Sequence, residues 1–124
     1  MSAETKEAAS PVWDSQELLG RVENDPELLI EILGLFKVEF PKNMQALKLA
    51  VAGGDLKKSG TLSHTLKGML SNLAAQRAAA ASAKLERLCA AGNGGAVAGA
   101  LGELLAEAAV LLSRLDAYMA VVQQ

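Results

Sequence analysis

Cysteine, histidine and aromatic residues are almost absent from this chain of 124 residues, which has one cysteine, one histidine, one tryptophan, one tyrosine and two phenylalanines. A single cysteine excludes an intramolecular disulfide and a cysteine-rich metal centre. Cys89, between Leu88 and Ala90, reads as a small apolar packing residue. With 51% hydrophobic but only 3% aromatic residues, the core has to be built from Leu, Ala, Val and Ile, the material of helix-on-helix packing. Positive charge is not in excess either: 12 Lys and Arg stand against 14 Asp and Glu, a formal charge of −2. No dense basic run is present, so nucleic acid is not an expected partner. No uninterrupted apolar run reaches the ~18 residues that span a bilayer, and no membrane span is expected. The first ten residues carry Glu4, Lys6 and Glu7 rather than a basic stretch followed by an apolar one, unlike a secretory signal. Residues 1–10 are expected to be a disordered tail, residues 11–124 one helical domain, and the protein cytoplasmic.

What is present is helical periodicity with clear punctuation. Asp14 followed by Glu17 forms a candidate capping box for a short first helix to about Val22, with Trp13 folding back on the bundle. Asn24-Asp25-Pro26 supplies a cap and a proline at the first position of a second helix. Its apolar stripe starts with Leu28, Leu29, Ile32, Leu33, Leu35 and Phe36. Pro41 predicts a kink rather than an end, because Met44, Leu47, Leu49 and Val51 continue the pattern to Gly53-Gly54. Asp55 can cap a third helix to about Leu73. A fourth runs from Gln76 to about Ala91, where alanine-rich Ala78 to Ala83 is helix-forming packing material, and Gly92-Asn93-Gly94-Gly95 reads as a loop. A fifth helix takes Ala96 to about Val121. The expected fold is all-α: an antiparallel four-helix bundle with a short additional N-terminal helix across one end.

The only histidine lies in the middle of the third helix. At roughly 100° per residue, taking His64 as zero puts Lys67 near −60°, Gly68 near +40°, Ser71 near −20°, Gly60 near −40° and Lys57 near +20°. Leu62, Leu66 and Leu73 cluster opposite, so His64 should face solvent. A lone histidine in a small helical domain is ordinarily of no chemical consequence, but its neighbours change that reading. Glycine inside a helix costs ~1 kcal/mol relative to alanine, yet Gly60 and Gly68 stand one turn before and one turn after the imidazole, which suggests clearance for something large. Lys67 adds a cation suited to anionic oxygens. Nucleophile, cation and clearance together describe a phosphate acceptor.

His64-Thr65-Leu66-Lys67-Gly68 resembles the His-x-x-Lys-Gly motif of the histidine-containing phosphotransfer (HPt) domains of two-component phosphorelays, and the likeness extends from about Val12 to Tyr118. The chain departs from that pattern with Met69 and Leu70 where relatives commonly have small residues, and with Ala74 where they often have glycine. The resemblance implies that His64 accepts a phosphoryl group from a receiver-domain phospho-aspartate and passes it to another receiver. Lys67 would screen the phosphoryl oxygens and Gly68 would admit the receiver surface. By position Glu86 resembles the family's polar residue that holds Nδ1 of the imidazole, with Lys84 on a neighbouring stripe able to meet phosphate. Lys57, Gly60, Thr61 and Ser71, with residues of the second helix, are the expected partner-contact positions. Response-regulator receiver domains are the implied partners, with a hybrid sensor histidine kinase as a further candidate, and a monomer is expected. No cofactor is expected on this chain, because Mg²⁺ belongs to the receiver's aspartyl site.

Three other readings compete with this one. An autonomous kinase would need a nucleotide-binding signature, and none is present. A metal-binding bundle would need Glu-x-x-His pairs, whereas Thr61 precedes His64 by three residues. A non-phosphorylated interaction or scaffold module remains the alternative, opposed by the intact His64, Lys67 and Gly68.

Overall fold

The computed structural model describes residues 11–122; the expected N-terminal tail lies outside them. Five helices follow in order: α1 (Ser15–Arg21), α2 (Pro26–Ala52), α3 (Leu56–Asn72), α4 (Gln76–Ala90) and α5 (Gly94–Val122). Three-residue connections join α2 to α3, α3 to α4 and α4 to α5, which forces consecutive helices to run antiparallel. α2 packs on α3, α3 on α4, α4 on α5 and α5 back on α2. The bundle is therefore closed, as its apolar periodicity predicted.

Local chemistry accounts for most of the boundaries. The Asp14 side chain accepts from Glu17 N–H at α1, Asp25 from Glu27 and Leu28 N–H at α2, and Asp55 from Lys58 N–H at α3. Each satisfies backbone donors that the first helical turn leaves without partners. Pro26 occupies the first turn of α2, where its missing N–H costs nothing. The helix then runs through Pro41 without ending. α5 begins at Gly94, two residues before the expected start at Ala96. Of the three glycines expected in that loop, Gly92 alone, with φ +72°, takes the left-handed turn conformation; Gly94 and Gly95 sit in the first turn of α5.

α1 lies across the end of the bundle at the α3–α4 turn. Trp13 Nε1 donates to the Leu73 carbonyl at 2.9 Å, Asp14 N–H to the Ala74 carbonyl at 3.0 Å, and Arg21 to the carbonyls of Ser71 and Asn72. The Trp13 ring meets Tyr118 of α5 edge to face, with centroids 5.2 Å apart. In the turn itself Ala74 has φ +64°, a conformation that favours glycine, the residue relatives often carry there.

The core runs along the bundle axis through Leu29, Leu33, Phe40 and Leu47 of α2, Leu66 and Leu70 of α3, Leu85 of α4 and Leu104, Leu111 and Leu115 of α5, all fully buried. Phe36 and Phe40 stack with centroids 4.6 Å apart. Burying a leucine contributes roughly 1.5–3 kcal/mol, so this leucine column is what fixes the helices around α3. α5 is long and apolar enough by length and composition to cross a membrane, although no run within it meets the stricter test of an uninterrupted apolar stretch. In the bundle its Val97, Ala100, Leu104, Ala108, Leu111 and Leu115 form the buried stripe.

Candidate functional site

The buried face of α3 is rotated from the one its leucines suggested. Ser59, Ser63, Leu66 and Leu70 are buried, while Leu62 is only partly so. Helix α4 buries three small residues, Ala78, Ser82 and Cys89, beside Leu85, and α3 buries two serines, with Gly60 of α3 set against Cys89. The Ser63 hydroxyl satisfies itself on the Ser59 carbonyl at 2.7 Å. This close seam brings the flank of α4 alongside His64.

His64 sits near the middle of α3 with its side chain 66% exposed, as its stripe predicted. Its Nδ1 lies 2.9 Å from Oε2 of Glu86 on α4, and the other carboxylate oxygen, Oε1, lies 2.9 Å from Lys67 Nζ. One carboxylate thus bridges the imidazole and the lysine. The Lys67 ammonium, hydrogen-bonded to it, holds the Glu86 carboxyl below the usual carboxylate range; partial burial opposes this, and the hydrogen bond to His64 reinforces it. An ionised carboxylate can only accept, so this contact selects the tautomer with the proton on Nδ1. Nε2 then keeps its lone pair, on a side chain that is largely exposed.

The other sequence candidates fall into three groups. Lys57, Gly60 and Thr61 line a groove of about 420 Å³ beside His64, together with Leu56, Thr65, Glu86, Cys89 and Ala90. The groove walls come from α3 and α4. Gly60 is there for a reason the sequence did not suggest: a Cβ at this position would meet Cβ of Cys89 at 3.2 Å. It lets α3 and α4 approach closely, and it also lines the groove beside the imidazole. Gly68 is the opposite case, exposed and with nothing within 4 Å of an added Cβ.

Two candidates lie outside the cluster. Lys84 does not turn to His64; its Nζ is 3.1 Å from Glu103 of α5, because two residues along α4 from Glu86 is a rotation of about 200°. Ser71 is exposed at the far end of α3, and its carbonyl receives Arg21 from α1, which ties it to the bundle's end. The groove residues Leu56, Cys89 and Ala90 were missed by sequence reasoning. Their only signal was helical phase, since they share faces with Gly60 and Glu86. Burial pushes the Cys89 thiol up, leaving it a packing group. No cluster of three or more metal-ligating side chains exists among the described residues.

Comparison with known proteins bears on the family and the fold. The Hpt domain family matches residues 31–123, from the first turns of α2 through α5, and so takes in the whole cluster around His64. No curated protein matches the chain. Among solved structures it is similar to histidine-containing phosphotransfer protein B from Pseudomonas aeruginosa PAO1, with a TM-score of 0.82 at 20% identity, over 89% of this chain and 96% of that one. At that identity the likeness establishes a shared helical-bundle fold. With the family match extending over most of its length, the chain belongs to the Hpt domain family.

Proposed function

We propose that this protein is a phosphorelay intermediate that takes a phosphoryl group onto His64 from a receiver-domain phospho-aspartate and passes it to the aspartate of another receiver. Hpt domains serve histidine phosphotransfer in two-component phosphorelays; the assignment of roles to residues is the part proposed here. The observation that carries it is the hydrogen bond between Glu86 and His64 Nδ1, with Lys67 on the same carboxylate, on a histidine otherwise open to solvent.

In the transfer, the Nε2 lone pair attacks phosphorus in line, the bond from phosphorus to the aspartyl oxygen breaks, and its electron pair returns to the receiver's carboxylate. No proton has to move, because Nδ1 already carries one and Glu86 retains it. The Mg²⁺ that neutralises the phosphoryl oxygens belongs to the receiver, so this chain contributes position and charge. Lys67 is 36% exposed and within reach of oxygens arriving at Nε2. Gly68 leaves flat backbone one turn on, against which a receiver can lie. The groove at Lys57, Gly60 and Thr61 extends that surface on the other side. A monomeric, cytoplasmic protein fits such a role, with a hybrid sensor kinase as one source of the phosphorylated receiver.

The test is phosphotransfer from a panel of phosphorylated receiver domains to the wild type and to His64→Gln. Acid-labile label on the wild type and none on His64→Gln is the expected result. Absence of label from every receiver, or label that persists in His64→Gln, contradicts the proposal.

A further inference from the structure

We infer that Glu86 makes His64 a short-lived, transfer-ready phosphoryl carrier rather than a store, by holding the proton on Nδ1 after Nε2 has been phosphorylated. This rests on His64 being the phosphoryl acceptor. The starting observation is a carboxylate fixed at both ends: Oε2 on Nδ1 and Oε1 on Lys67, each at 2.9 Å. Lys67 therefore orients Glu86 as well as bearing charge beside the ring.

The consequence follows from where electrons go when phosphate leaves. In the outgoing step a bond forms between phosphorus and an aspartate oxygen, the Nε2–P bond breaks, and its electron pair returns to the ring. If Nδ1 carries its proton, the departing group is neutral imidazole. If that proton has gone to solvent, the departing group is an imidazolate anion, a far poorer leaving group. The neutral, deprotonated phosphoimidazole is the durable form and the Nδ1-protonated cation the reactive one. An amide at position 86 could support both forms, turning its carbonyl to Nδ1–H or its N–H₂ to a bare Nδ1. A carboxylate offers no donor, so it stabilises only the reactive form.

The surrounding charges keep Glu86 in that role. From α3 the carboxylate meets Lys67, whose hydrogen bond holds it ionised, and Lys57 lines the same groove. On α4 Lys84 is engaged with Glu103 of α5. α2 meets this stretch of α3 through the uncharged contact of Asn43 with Met69.

Phosphoramidate, a small phosphoryl donor that needs no receiver, provides the test. The wild type, Glu86→Gln and Lys67→Gln are each phosphorylated, and loss of phosphohistidine is followed by ³¹P NMR between pH 5 and pH 9. Placing an opposite charge beside a titrating group typically moves it by about one unit or more. The midpoint at which the phosphohistidine lifetime shortens is therefore expected about one pH unit lower in Glu86→Gln, with a lifetime at pH 8 about 5- to 10-fold longer than in the wild type. In Lys67→Gln, which leaves the carboxylate unneutralised, the midpoint is expected to stay or rise. Midpoints that coincide in wild type and Glu86→Gln, or that fall together in both variants, overturn the inference while leaving His64 as acceptor. Failure of His64 to take the group in the wild type removes the underlying reading as well. The Lys67→Gln arm keeps the inference falsifiable if Glu86→Gln does not fold.

Discussion

A methyl group added at Gly60 would meet Cβ of Cys89 at 3.2 Å, whereas one added at Gly68 would meet nothing within 4 Å. The two glycines stand one turn before and one turn after His64, and sequence reasoning gave them the same meaning. The structure separates them. Gly60 stands at a close approach of α3 and α4, where an added Cβ would press on Cys89. Gly68 answers to nothing inside the molecule, yet carries the helix cost of ~1 kcal/mol that glycine exacts. We propose that this cost is offset outside the molecule, at a receiver surface that lies against α3.

That difference can be tested by substitutions whose effects run in opposite directions. The largest effect is expected for Gly68→Gln, where a long side chain in the approach path should reduce receiver transfer about 100-fold, or ~2.7 kcal/mol by transition-state arithmetic. Its melting temperature should not fall, and equal transfer rates would remove the outward role of Gly68. Gly60→Leu should instead destabilise the bundle by about 1–3 kcal/mol, the usual range for overpacking, as read from urea or thermal unfolding. An unchanged or raised stability would show that the α3–α4 seam is looser than the contact with Cys89 implies.

Smaller effects sharpen the same contrast. Gly68→Ala should raise stability by up to about 1 kcal/mol through helix propensity while slowing transfer measurably, a combination that a structural glycine cannot give. Ala74→Gly, at φ +64°, should stabilise by less than about 1 kcal/mol, because release of left-handed strain is offset by the entropy of the unfolded chain and loss of a buried methyl. Smallest is the pH dependence from Glu86. Its carboxyl is held below the usual carboxylate range, chiefly by Lys67, so the ionised form favours folding at neutral pH. This contribution should disappear as pH falls through the lowered folded-state pKa. Melting temperatures of the wild type and Glu86→Gln should therefore converge in acid and diverge, with the wild type higher, towards neutrality.

The parts that could be read from the sequence are those set by local rules. Asp14, Asp25 and Asp55 mark three helix starts because capping is decided within four residues. His64, Lys67 and Gly68 share a face because helical phase is fixed over one turn. What could not be read depends on a second helix. Ser59, Ser63 and Ser82 are fully buried, although serine rarely is, because the separation of α3 and α4 is a property of the pair. Lys84 and Glu86 looked like neighbours in sequence and diverge in space, one to Glu103 and one to His64, because α4 lies between two different partners. Gly94 and Gly95 read as loop residues because glycine composition does not distinguish a turn from the first turn of a helix. The bridge from Glu86 to both His64 and Lys67 was half visible: the sequence supported a polar group on Nδ1, while the shared lysine appears only with coordinates.

The most direct test of the account is the site of attachment in the phosphorylated protein. Because the chain has a single histidine, uniform ¹⁵N labelling followed by ¹⁵N and ³¹P NMR after transfer from a receiver gives one unambiguous imidazole spectrum. Phosphorus bonded to Nε2, with Nδ1 still carrying its proton, is the predicted result. Phosphorus on Nδ1, the nitrogen that Glu86 occupies, or an imidazole unchanged while label sits elsewhere, would contradict it.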